Sequence, residues 1–62
     1  MNHNLMKDVS VAIQENKSTM MINGNEVKLP KLAPSLIIGK RQSVKIMYAD
    51  SLASDLLRKL NI

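Results

Sequence analysis

The chain has no cysteine, tryptophan or phenylalanine, one tyrosine (Tyr48), one histidine (His3), and only two glycines and two prolines among its 62 residues. Each absence removes a class of function. Without cysteine there is no disulfide staple, thiolate metal centre or thiol nucleophile. With a single imidazole, the serines at 10, 18, 35, 43, 51 and 54 have no evident general base, and a histidine metal cluster is excluded. One aromatic ring is too few for the stacking platform that single-stranded nucleic acid requires. Apolar runs such as Ser35 to Ile38 fall far short of the roughly 20 residues that span a bilayer. The first residues lack an apolar signal core, so a cytoplasmic chain with no membrane association is expected.

What is present is a small, basic, aliphatic chain. Hydrophobic residues make up 45%, five of them Met, and the net charge is +4 with a pI near 9.8. Its length allows one α+β domain over residues 1–62, and a domain this small buries only about 60% of the surface its unfolded form exposes. Small domains compensate with disulfides, metal or association. Only the last remains, so a homo-oligomer is expected, with Met20, Met21 and Leu36 as candidate interface residues left over on the sheet. The positive charge favours an acidic partner, either duplex nucleic acid or an acidic protein surface. No cofactor is called for.

The most ordered stretch is Ser43 to Leu60. Val44, Ile46 and Tyr48 alternate with Lys45 and Met47, as in a strand with one buried face. Leu52, Ala53, Leu56, Leu57 and Leu60 then fall along one side of a helix. Asp50 or Ser51 is placed to cap that helix, and Arg58 and Lys59 suit its negative end. Nearer the start, Leu5, Met6, Val9, Ala12 and Ile13 make a helical stripe over residues 5–16, with Asn4 as a candidate N-cap. The alternation of Val9, Val11 and Ile13 offers a strand instead. Asn23-Gly24 between Met20-Met21-Ile22 and Glu26-Val27-Lys28-Leu29 predicts a hairpin, because Asn-Gly supplies positive φ angles readily. Pro30 ends it and a stiff connector runs to Pro34. Ser35 to Ile38, a turn over 39–42 and Ser43 to Ala49 then read as a second hairpin. The expected architecture is an N-terminal helix, two β-hairpins forming a small antiparallel sheet, and a C-terminal amphipathic helix. A strand over residues 5–16 would instead give a five-stranded small barrel with a terminal helix.

No reaction is written in these residues. Gly39-Lys40 resembles the end of a phosphate loop, but Pro34 and Arg41 stand where that motif needs glycine and Ser or Thr. Asp8, Glu15, Glu26, Asp50 and Asp55 are scattered, as capping and solvated carboxylates are, and no catalytic site is assigned. The constellation with chemical meaning is basic: Lys40 and Arg41 in the predicted second turn, Lys45 on its returning strand, Lys28 and Lys31 at the end of the first hairpin. Such residues follow phosphates, and a β-ribbon can enter the major groove. Lysines on turns and strands are also explained by solvation and by protection of a sheet edge, the plainer reading of the two. The expectation is a non-enzymatic binding protein, either a basic regulator contacting a duplex backbone or a protein-binding inhibitor or adaptor of the mobile-element type. A minor subunit of a larger assembly is the third class.

Overall fold

The computed structural model describes residues 3–33 and 41–61. In order they form helix α1 (His3–Gln14), strands β1 (Thr19–Ile22) and β2 (Asn25–Lys28), and helix α2 (Gln42–Lys59). The two strands pair antiparallel, and α1 packs directly on α2. The α+β arrangement of an N-terminal helix, an antiparallel sheet and a C-terminal helix is therefore present, and the barrel is not.

The stripe on α1 does what its spacing predicts. Val9, Ala12 and Ile13 are buried, and Leu5 and Met6 pack on the same core, while Lys7, Asp8 and Glu15 are exposed. Asn4 lies inside the helix, not at a cap before it. The helix ends on Asn16, whose φ of 60° is left-handed. Its amide donates to the Ile13 carbonyl at 3.0 Å and that of Lys17 to the Ala12 carbonyl at 3.1 Å, the paired bonds of a Schellman ending. Asn61 closes α2 with the same left-handed conformation, φ 60°, and its amide donates to the Arg58 carbonyl at 3.1 Å.

In the hairpin, Met20 lies opposite Val27 and Ile22 opposite Asn25. Ile22 is buried and Met20 and Val27 are half-buried, whereas Met21, opposite Glu26, faces out. The Leu29 amide adds a further bond to the Ser18 carbonyl at 2.8 Å. Asn23 and Gly24 both take positive φ, 51° and 81°, as a type I′ turn requires. A Cβ at Gly24 would meet no atom within 4 Å, so the requirement there is conformational alone. Gly24→Ala is accordingly expected to cost about 1 kcal/mol, measurable as a lowered urea midpoint with an unchanged slope. Beyond the hairpin, Leu29 and Leu32 both enter the core, so the connector is a packed wall of the domain and more than a link.

The second hairpin is the main correction. Gln42–Lys59 is one continuous helix, so Ser43 to Ala49 is not a strand, and Ser35 to Ile38 lies outside the described residues. The apolar stripe of the C-terminal helix does not stop at Leu52: Ala49 is as fully buried as Ala53 and Leu57, and each is one turn from the next. Once the turns around Ala53 are formed, each residue added at the N-terminal side gains a hydrogen bond without a new nucleation cost. That gain outweighs the weak helix preference of Val44 and Ile46. Asp50 and Ser51 thus lie mid-helix, and Arg41 takes the N-cap position, extended at φ −65° and ψ 153° with no side-chain cap bond.

Candidate functional site

Where α1 meets α2 a groove of about 490 Å³ opens to solvent, lined by Met6, Lys7, Ser10, Val11 and Gln14 from α1 and by Ile46 and Asp50 from α2. The α1 residues recur at three- and four-residue spacing, and Ile46 and Asp50 are one turn apart, so each helix contributes one edge of its surface. The walls are apolar: Val11 is 42% exposed and Ile46 38% exposed, and Met6 packs its inner side on the core.

The floor is polar and tied together. Ser10 is only 2% exposed. Its hydroxyl donates to Asp50 Oδ1 and accepts from Gln14 Nε2 at 3.1 Å. A buried hydroxyl left unpaired would cost about 1–3 kcal/mol, and a hydrogen bond to a carboxylate is among the stronger kinds, so this pair fixes α2 against α1. It also joins residues 40 apart in sequence, a pairing no local pattern signals. Chemically the floor offers a hydroxyl and a carboxylate, with Lys7 lining the same groove. Among the described residues no group of three or more histidines or carboxylates converges to hold a metal ion. The arrangement can position and recognise.

The basic set is distributed differently from the ribbon that the sequence suggests. Lys45 stands on the second turn of α2, half-buried, and Arg41 at its start, both on a helix and not on a hairpin. Lys28 closes β2 and lines a separate groove with Lys59 and Asp55. Lys31 is exposed and donates to Ser18 Oγ at 3.4 Å. Lys40 lies outside the described residues, as does Leu36 of the expected interface. At 1.5 Å per residue, Arg41 and Lys59 stand about 27 Å apart along α2. The Lys28 side chain therefore belongs to one end of the molecule and Arg41 to the other, against a longest extent of 34 Å. Of the remaining interface candidates, Met20 packs on the core and Met21 is exposed. The residues that sequence patterning missed are Val11, which lies outside the helical stripe of residues 5–16, and Ile46, which reads as part of a strand.

Comparison of the chain with protein-family models, with curated proteins and with solved structures found no match. The site is accordingly read from its own geometry. No helix among the described residues is long and apolar enough to cross a membrane.

Proposed function

We propose that this chain is a small non-enzymatic binding protein, an inhibitor or adaptor, that docks a protein partner through the groove between α1 and α2. The observation that carries this reading is the pairing of Val11 and Ile46, two large apolar side chains left open to water on either side of a floor held by the Ser10–Asp50 bond. Exposed apolar surface with a polar floor and rim is typical of recognition sites, and a groove already fixed in shape saves ordering entropy on binding. Lys7 at the rim and the net charge of +4 favour an acidic partner surface. A cytoplasmic setting fits a chain whose fold uses no disulfide.

Lysate capture by the parent and by a Val11→Lys/Ile46→Lys double variant tests the reading, each with and without nuclease. Both positions are exposed, so the fold should survive. A partner retained by the parent after nuclease treatment should be lost from the variant, since removing two apolar anchors at about 1–3 kcal/mol each weakens binding at least tenfold. Equal capture by both proteins would remove the groove from consideration.

A second reading rests on the placement of Lys28 beside Lys59, flanked in sequence by Lys31 and Arg58, as a phosphate-contacting edge for duplex nucleic acid. Nuclease-sensitive capture would favour it. In that case log affinity should fall with log salt at a slope near 0.9 per phosphate neutralised, and removing Lys28 and Lys59 together should reduce the slope by about 2 without changing sequence preference.

A further inference from the structure

We infer that the outward face of α2 is a self-complementary surface on which two copies of this chain pair antiparallel about a two-fold axis at Tyr48. The inference is separate from the groove reading and does not depend on it. The core face of α2 is Ala49, Ala53 and Leu57. On the opposite side, Val44, Tyr48, Ser51 and Asp55 fall within an arc of about 60° when successive residues turn by about 100°. Arg41 extends that strip at its start, and Met47 borders it. Here a helix that has already buried one face leaves Met47 62% and Tyr48 48% exposed, with Val44 half-buried beside them. A helix apolar on two sides at its first half is the signature of a second contact.

The charges select both the partner and its direction. Arg41 and Asp55 each stand seven residues from Tyr48, on opposite sides, which is about 10.5 Å along the axis. In an antiparallel pair centred on Tyr48, Arg41 of each copy meets Asp55 of the other, so one contact occurs twice, as an isologous interface requires. In the same register Val44 falls opposite Leu52, beside the small Ser51, and the two Tyr48 rings meet at the axis, where offset stacking is favourable. A parallel pair would instead set Arg41 against Arg41 and Asp55 against Asp55. Neither Arg41 nor Asp55 has an ion-pair partner within the described chain, where the recorded salt bridge is Lys17 to Glu15 at 3.8 Å. Both charges are exposed, Asp55 at the edge of the groove it shares with Lys28 and Lys59.

Arg41 to Asp55 covers only about 21 Å of helix, well short of the roughly 800 Å² per partner of a standard stable interface. The dimer should be weak, with a dissociation constant between about 10 μM and 1 mM. Sedimentation velocity across that range, at low and high salt, tests it with the full chain. The parent should shift from monomer to dimer with concentration, and less so at high salt. Arg41→Asp and Asp55→Arg should each raise the dissociation constant about tenfold, and the double reversal should bring it back to within about threefold of the parent. Both positions are exposed, so neither substitution should unfold the monomer; Arg41→Asp, at the N-cap of α2, should raise its melting temperature slightly, so weaker pairing in that variant is not loss of fold. Oxidation of a Tyr48→Cys variant gives an independent reading, since the chain has no other cysteine. It should form a covalent dimer much faster than an Arg58→Cys control, whose position lies beyond the overlap. A monomer at millimolar concentration, self-association indifferent to both charge reversals, or no rescue in the double variant would overturn the inference.

Discussion

Replacing Leu57 with Ala is expected to remove most of the stability of this domain. Leu57 is fully buried, one turn from Ala53, and joins the core formed by Val9, Ile13, Ile22 and Leu32. Truncating such a side chain loses the transfer free energy of its carbons and leaves a cavity, together about 2–5 kcal/mol. At 0.05–0.15 kcal/mol per residue, a chain of this length has roughly 3–9 kcal/mol in total. Leu57→Ala should therefore melt at least 10 °C below the parent, or be unfolded at room temperature. Leu56→Ala is the informative comparison. The sequence stripe treats Leu56 and Leu57 alike, but Leu56 is only partly buried at the edge of the core and should cost less. Arg58→Ala, at an exposed position, should fall within about 0.5 kcal/mol of the parent. Circular dichroism melts of the three variants give the order directly. Equal losses for Leu56 and Leu57 would mean that α2 is rotated from the position described.

The features legible in the chain are those whose signal is local. Asn23-Gly24 specifies the type I′ turn because the turn needs positive φ at both positions, and the strands on either side follow from it. The α1 stripe is legible because its five apolar residues fit a helical face, whereas a strand accounts for only three. Residues 43–49 are misleading for a physical reason. Val44, Ile46 and Tyr48 alternate in sequence, but on a helix they point in different directions. Ile46 turns to the groove, and Val44 and Tyr48 to the opposite side. Residues two apart on a helix lie about 200° apart, so a helix with apolar residues on two sides can alternate over a few positions, as α2 does at 44, 46 and 48. Ala49 carries the missing clue, as it continues the spacing of Ala53 and Leu57, but it directly follows the alternating run and so reads as the last residue of a strand. The Ser10–Asp50 bond and the placement of Lys28 and Lys59 on one groove depend on packing between elements distant in sequence. The basic set was legible as composition and illegible as a patch, because charge counting does not say which end of a helix each lysine occupies.

The sign of one substitution separates burial from packing as the cause of the α1–α2 contact. Ala49 and Ala53 are fully buried on the helix that packs directly against α1, and Asp50, which accepts from Ser10, lies between them in sequence. If buried apolar area alone decided stability, Ala53→Leu would help, since its added carbons would contribute about 0.8 kcal/mol per methylene when removed from water. The close approach argues the reverse. A residue with no exposed surface in a close-packed interior has no space for a larger side chain, so Leu must push α2 outward or adopt a strained rotamer, at about 1–3 kcal/mol or more. Displacement of α2 would also stretch the Ser10–Asp50 bond and leave a buried hydroxyl short of its partner, adding about 1 kcal/mol or more. Ala53→Leu is thus expected to lower the urea midpoint by an amount comparable to Leu57→Ala. Ala53→Gly, which creates no clash, should cost only about 1 kcal/mol through its helix propensity. A Leu variant more stable than the parent would show that the helices have room to part, and that their spacing is set elsewhere than at these two alanines.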